Sequence, residues 1–425
     1  MKQTDKIYQQ YLCILQEELQ PSMGCTEPIA LAYAGAKARQ VLGAIPERIC
    51  VKVSGNIIKN TKSVIVPNTG GLHGIAPAVC AGIIAGDADK LLEVISTITP
   101  SQQQQLRDYL QQVPPEITPT DSGLVFDIDI TISHGKDWVR LRLVNHHTNI
   151  VLIQKNEEIL LQLPVVESSE DHLTDKTCLR IEKIVEFADC VEISDIRSLI
   201  SRQITCNMAI AKEGLRNNWG ANVGSVILSR QGGLLCKQAA AYAAAGSDAR
   251  MSGCEMPVII LSGSGNQGIT ASVPVAVYAQ AMDVSEDLLL RAVALSDLVT
   301  IHQKTGIGRL SAYCGAISAG CGAGAGIAYL NGGKFHAIAH TVVNAIAILS
   351  GTICDGAKPS CAAKIAAAVD AGILGWEMYL ENQQFYGGDG IVKKGVDKTV
   401  TNVGRLAREG MAQTDKTILQ IMMDE

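Results

Sequence analysis

Aromatic residues are scarce in this sequence: Phe, Trp and Tyr together make up 4% of 425 residues. That scarcity argues against an aromatic β-core. The 47% of residues that are apolar fill space largely with Ala, beside 40 Gly, which suits closely packed helices. No basic tract of any length occurs, and the net charge is −6. A nucleic-acid partner needs a Lys/Arg-rich face, so none is expected. The opening stretch, MKQTDKIYQQYLCILQEELQ, lacks the apolar segment and cleavage site of a signal peptide. Thirteen cysteines, an odd number, then suggest a reducing, cytoplasmic setting in which clustered cysteines serve metal binding or catalysis rather than disulfides. Cys13, Cys50, Cys80, Cys190 and Cys236 sit in apolar or amphipathic runs and read as small core residues.

Charge is also missing from two long runs. SAYCGAISAGCGAGAGIAYLNGG spans 311–333, and FHAIAHTVVNAIAILSGTIC follows Lys334. A transmembrane hairpin is one reading of such runs. Against it, the first is mostly Ala, Gly and Ser, which gain little from lipid, and the second holds His336, His340 and Asn344. Buried core helices, and no membrane, are the expectation.

What is present falls into two textures. Residues 1–84 and 196–425 read as long Ala-rich helices, with one strand at RICVKVSG (48–55). Between them, LVFDIDITI, DWVRLRLVN, NIVLIQKN and EILLQLP are short alternating runs separated by Gly, Asn and Asp turns. Helical candidates flank these runs at 86–96, 101–112 and 179–191. The expected fold is a mainly α catalytic domain (1–84 and 196–425) carrying an inserted α+β subdomain (85–195) with an antiparallel sheet. An internal echo suggests pseudo-symmetric halves within the helical domain. SVIVPNTGGLHGIAPAVCAG (63–82) and PVIILSGSGNQGITASVPVAVYA (257–279) both run from an apolar stretch through a Gly-rich loop into a Pro-containing helix. Such loops present backbone donors at a helix N-terminus and suit an anion such as a carboxylate.

Four cysteines stand apart. CGAISAGC (314–321) and CDGAKPSC (354–361) share a six-residue gap but not a conformation. In a helix, positions seven apart lie about 10 Å from each other along the axis. Cys314 and Cys321 therefore cannot both ligate one compact centre if that run is helical. Asp-Gly and Lys-Pro break the second run, so Cys354 and Cys361 can curl together round a metal. Two loop thiolates plus one of Cys314 or Cys321 leave a coordination position open, as a catalytic metal requires. Thiolates select zinc or an iron–sulfur cluster, and no C-x2-C zinc spacing occurs. Cys25, in PSMGCTEPIALAYAGAKA, precedes an apolar helix whose first turn holds Glu27 and Pro28. The helix dipole there should lower the thiol's pKa toward a reactive thiolate, with Glu27 working against it.

Taken in order, GCTEPIALA, SGNIIKN, NTGGLHG, HTNI, EGLRNNWG, SDARMSG, SGSGNQGITA, RLSAYCGA and ICDGAKPSCAAK resemble the L-cysteine desulfidase (CyuA-type) family. That family lies within the superfamily of iron–sulfur L-serine dehydratase α-domains. The resemblance runs from about residue 12 to 423. It implies a [4Fe–4S] cluster on Cys314, Cys354 and Cys361 with one iron free of cysteine, no pyridoxal phosphate, and Cys25 as the base that removes the Cα proton. The short 354–361 loop and GCTEP favour the desulfidase branch over L-serine dehydratase. The implied reaction converts L-cysteine and water into pyruvate, ammonia and hydrogen sulfide.

By residue type and loop position, Asn68, Thr69 and Gly70, and Ser264, Asn266 and Gln267, are expected to hold the substrate. Lys59 and Asn60 are expected to assist them, and Arg250 is a rival for the carboxylate. His147, Thr148 and Asn149 resemble a stretch that approaches the active site in related dehydratases; a turn at a strand edge is the alternative. A homodimer is expected. The competing readings are a serine dehydratase, a zinc lyase or hydrolase, and a non-catalytic three-cysteine metal or redox sensor.

Overall fold

The computed structural model describes residues 1–165, 173–308 and 311–423. Helix α1 (Lys6–Glu18), strand β1 (Gln20–Met23), α2 (Thr26–Leu42), β2 (Arg48–Val53), α3 (Gly55–Thr61) and α4 (Ile75–Ala85) open the chain. A 3-10 turn at Ala88–Glu93 and α5 (Pro100–Gln112) lead to β3 (Glu116–Pro119), β4 (Asp127–His134), β5 (Asp137–Val144), β6 (Ile150–Lys155) and β7 (Glu158–Gln162). Helices α6 (Ile181–Cys190), α7 (Ile193–Arg216), α8 (Val223–Gln231) and α9 (Leu235–Met251) follow, then β8 (Pro257–Ile260) and α10 (Gly265–Ala281). The chain ends in α11 (Glu286–Ile307), α12 (Gly315–Leu330), α13 (Phe335–Leu349), α14 (Cys361–Leu380), α15 (Val396–Arg405), a π turn at Leu406–Gly410 and α16 (Ala412–Met423).

The fold is a mainly α core with a smaller α+β part, as expected. The scarcity of aromatics has a direct structural counterpart. Helices α12 and α14 cross backbone to backbone, so that a Cβ on Gly324 would lie 2.4 Å from Gly372 O and one on Gly320 2.3 Å from Ala368 O. Likewise α4 meets α2 where a Cβ on Gly82 would lie 1.9 Å from Ala32 O. Contacts this close leave no room for large side chains at these crossings. Helices α12 and α13 are core elements, and no helix among the described residues is long and apolar enough to cross a membrane.

All four strands expected between 114 and 165 form, as β4 to β7. Ile128, Ile130 and Ile132 alternate with Asp129 and Thr131 and bury one face of the sheet in a core shared with α2. The sheet nonetheless differs from the expected one. Its order is β3-β2-β4-β5-β6-β7, and β2 pairs parallel with β3 and antiparallel with β4. An isolated strand at 48–53 has unpaired backbone groups, and the sheet satisfies them. As a result, α2, β2 and α4 share an apolar core with the sheet. Helices α1 and α6 join the larger core, through Tyr8, Tyr11, Ile184 and Phe187. The two cores thus divide the chain elsewhere than at residues 84/85 and 195/196. The helix expected at 86–96 is only the 3-10 turn, broken at Leu91, whose φ is +49°.

Candidate active site and cysteine cluster

Strands β1 and β8 pair antiparallel, Met23 opposite Pro257, and each runs into a helix that opens on the same cavity. Cys25 is the N-cap of α2, and Ser264 is the N-cap of α10. A Thr26 hydroxyl bond to Gly263 O, 3.0 Å, ties the two helix starts together. Two more helices begin at the cavity. Cys314 is the N-cap of α12, and Cys361 is the first residue of α14. Four helix N-termini thus surround a space of about 110 Å³. Each contributes the positive end of its dipole, an environment suited to anions and thiolates, although at α14 Cys361 N and Ala362 N already donate to Lys358 O and Pro359 O.

Cys25, Cys314, Cys354 and Cys361 all line this cavity, while Cys321, two turns into α12, does not. A bridge between Tyr313 and Ile353 brings the Cys314 and Cys354 segments alongside each other. Cys314 N donates to Thr352 O at 3.1 Å, and Cys354 N to Ala312 O at 2.6 Å. Cys314, Cys354 and Cys361 thus stand on two helix starts and the loop between, rather than in a helix interior and a single loop. The 354–361 loop presses on α3 at Gly356, where a Cβ would fall 2.3 Å from Lys59 O and φ is +96°. Glycine alone fits both demands. Lys364, in the first turn of α14, reaches back to Ile353 O at 2.9 Å and to Asp355. Asp355 also pairs with Lys358. Burial opposes ionisation of Asp355, but the two lysines outweigh it and lower its pKa to about 2. Arg309 and Leu310, which open the RLSAYCGA motif, lie outside the described residues.

The donor set bears on what it can hold. Among the described residues, no three His, Cys, Asp or Glu side chains are grouped to hold one metal ion. Thiolates sharing a zinc stand about 3.8 Å apart, given a Zn–S bond of about 2.3 Å. On an iron–sulfur cluster, each thiolate takes a separate iron and the sulfurs stand further apart. Three thiols lining one cavity are the donor type that soft metals and iron–sulfur groups take. Burial and the proximity of Cys354 push the Cys314 thiol up to about 12, and burial raises Cys361. Desolvated thiols of this kind favour a cationic partner that takes them as thiolates.

The expectation for the Cys25 pKa is reversed. Cys25 is only 3% exposed, and burial, followed by the charge of Glu27, drives its pKa far above the usual thiol value despite the helix dipole and Arg250. Its Sγ donates to Glu27 Oε2 at 3.4 Å. Asn60 Nδ2 donates to Oε1 at 3.2 Å, while the single Thr26 hydroxyl proton, given to Gly263 O, leaves Thr26 Oγ1 only a neighbour of Oε2. Glu27 is thus the fixed acceptor beside Cys25.

Among the expected substrate holders, Lys59, Asn60, Ser264, Asn266, Gln267 and Arg250 line the cavity. Lys59 Nζ is engaged by Asp415 of α16 and, at 3.5 Å, by Cys354 O. Asn68, Thr69 and Gly70 do not line the cavity. Asn68 Nδ2 donates to Ile95 O, Thr69 Oγ1 to Val66 O, and Gly70 O accepts from Arg107. Their loop fastens α5 instead, while Pro67 and Val64 just before it lie against Gly24 and Cys25. His147, Thr148 and Asn149 line a second, larger cavity of about 690 Å³, which shares Gly263 with the first. Lys304 of α11 is a buried cavity residue that sequence reasoning missed, although a lone Lys near the end of an apolar helix was a usable signal. Asp415 was also missed, and nothing local marks it.

The family model described as serine dehydratase alpha chain matches residues 89–420. A UPF0597 protein of Desulfitobacterium hafniense is 56% identical over 425 residues, covering 100% of this chain and 99% of its own length. A UPF0597 protein of Treponema denticola is 45% identical over 424 residues, covering 98% of both chains. One of Lachnoclostridium phytofermentans is 46% identical over 418 residues, covering 98% of this chain and 100% of its own. These full-length matches extend over the α2 and α3 segments that precede the family match. The chain belongs to the serine dehydratase alpha chain family, in company with the UPF0597 proteins.

Proposed function

We propose that this protein eliminates sulfide from L-cysteine, using Cys25 as base and a [4Fe–4S] cluster on Cys314, Cys354 and Cys361. The supporting observation is the convergence of all four cysteines, each at a helix N-terminus or on the loop between, on one cavity. When bound, such a cluster supplies a Lewis-acidic iron without a cysteine ligand, which eases departure of the leaving group. The chain's own residues do the remainder. Glu27 accepts the thiol proton of Cys25, and the resulting thiolate takes the Cα proton of the substrate. Asn60 holds Glu27 for this transfer. Loss of hydrosulfide leaves aminoacrylate, which tautomerises and hydrolyses. The sum is L-cysteine plus water to pyruvate, ammonia and hydrogen sulfide. Burial of Cys25 limits the access of bulk water to the thiolate.

A second reading, dehydration of L-serine on the same residues, is favoured by the description of the matching family model. The short CDGAKPSC loop and GCTEP favour the desulfidase. An anaerobic assay of the iron- and sulfide-reconstituted protein separates the two. Equimolar sulfide and pyruvate from L-cysteine, with L-serine slow or inert, supports the desulfidase. Pyruvate mainly from L-serine assigns the dehydratase. No product from either, by protein holding its cluster, removes both.

A further inference from the structure

Arg250 is 2% exposed, and no carboxylate among the described residues forms an ion pair with it. Its Nε donates to Gly24 O at 2.9 Å and its Nη1 to Asn266 Oδ1 at 3.1 Å. The guanidinium lies against the first turn of α10, where a Cβ on Gly265 would come within 2.3 Å of Nε. A buried cation thus sits at the positive end of a 17-residue helix. Two positive elements side by side in a low-dielectric site call for an anion. No acceptor among the described residues takes the N–H groups of Gly265, Asn266 or Gln267. The Ser264 side chain does not cap them.

One further group is unmatched. Gln267 is 5% exposed and lines the cavity, and its Oε1 has no hydrogen-bond partner. Gly315 backs it closely, since a Cβ there would fall 2.8 Å from Gln267 Cδ. A buried acceptor in this position suits a donor brought by a ligand.

We infer that the first turn of α10 together with Arg250 seats the substrate's α-carboxylate, and that Gln267 Oε1 accepts from its α-ammonium group. The ligand class is a small zwitterionic α-amino acid, held by both ends of its head group while its side chain remains free for the cysteine cluster. This inference rests on the functional reading above and deepens it. It also divides the labour among residues that position and charge alone leave interchangeable. Lys59, already engaged by Asp415, has no part in the seat.

The test is a binding series under anaerobic conditions. Calorimetry on the cluster-free full chain and absorption changes of the reconstituted holoenzyme give dissociation constants for L-cysteine, 3-mercaptopropionate and cysteamine. The two analogues lack the amine and the carboxylate respectively. L-cysteine is expected to bind about tenfold or more tighter than either, the effect of losing a hydrogen bond to a charged group. Gln267→Leu, checked for iron content and melting temperature, is expected to weaken L-cysteine about tenfold and leave 3-mercaptopropionate unchanged. Equal binding of cysteamine and L-cysteine by the unaltered protein overturns the carboxylate seat. Equal weakening of L-cysteine and 3-mercaptopropionate by Gln267→Leu overturns the ammonium seat. The expected binding pattern without turnover of L-cysteine or L-serine leaves the seat standing and refutes the proposed reaction. Turnover without the pattern does the reverse.

Discussion

Cys25 Sγ donates to Glu27 Oε2 across 3.4 Å at the start of one helix, and both residues are buried. A thiol held this way has a proton acceptor at hand but is not itself ionised. Replacing Glu27 with Gln preserves the shape and the link to Asn60 and removes the acceptor charge. Glu27→Gln is expected to lower kcat by about 10²- to 10⁴-fold, the usual worth of a general base, with little change in KM. Steady-state kinetics on protein of unchanged cluster absorption checks this. A fall confined to KM contradicts it.

The ligand assignment predicts a sharp difference among cysteines seven residues apart. Ala at Cys314, Cys354 or Cys361 is expected to abolish retention of iron and acid-labile sulfide. Cys321→Ala should retain both and cost only about 1 kcal/mol through a small buried void. Iron and sulfide analysis after anaerobic reconstitution decides the matter. A Cys321→Ala protein without iron would place the helix ligand at the wrong residue.

Lys364 ties the cluster loop together, donating to Ile353 O at 2.9 Å and pairing with Asp355. Lys364→Met removes both links. The reconstituted variant is expected to lose iron to a chelator about ten times faster than the unaltered protein, and Lys364→Arg should restore part of the difference. Identical rates for all three proteins would show that the loop holds its shape without the lysine.

Asp297 provides a pH prediction remote from the site. It is fully buried on α11, accepts from Gln203 Nε2 at 2.9 Å, and burial raises its pKa to about 8. Asp297 Oδ2 and Gln203 Oε1 are buried acceptors without a donor, and a proton on the carboxyl supplies one. An unfolded Asp titrates near 4. Between those values the folded state keeps a proton that the unfolded state lacks. The contribution to stability is therefore full below about pH 4, declines as pH rises, and levels off above about 8. Asp297→Asn should remove this slope and narrow its stability gap in the direction of greater relative stability at pH 8 than at pH 5. Denaturant unfolding of both proteins across that range measures it, and parallel curves refute it.

Spacing and helix-breaking residues narrowed the cysteines to Cys354, Cys361 and one of Cys314 or Cys321, since Pro359 and Gly356 announce a loop. The family resemblance pointed to Cys314, and Cys314 is the one that lines the cavity. Cys25 was legible in place but not in chemistry. Its place at a helix N-terminus follows from GCTEP, although the cap is Cys25 itself rather than the expected Thr26. Its burial depends instead on Val64, Met251 and Cys361, distant in sequence. The two Gly-rich loops show the limit most clearly. Both have the same order of residues, yet one meets Arg250 at the cavity while Gln103 and Arg107 of α5 take the other. Local sequence shows which donors and acceptors a loop carries, and tertiary packing decides what they face. For the same reason β2 was read as a strand in a helical region, although its partners lie more than sixty residues onward.

The central claim is that base and cluster act on one substrate in one cavity, and Cys25→Ala tests it most directly. Mössbauer spectra of the ⁵⁷Fe-reconstituted variant are recorded anaerobically with and without L-cysteine, and pyruvate is assayed on the same samples. The account predicts an intact [4Fe–4S] signature, a change at a single iron site on adding L-cysteine, and no pyruvate. Loss of the cluster in Cys25→Ala would make Cys25 a ligand, and undiminished pyruvate would make it a bystander; either result contradicts the account.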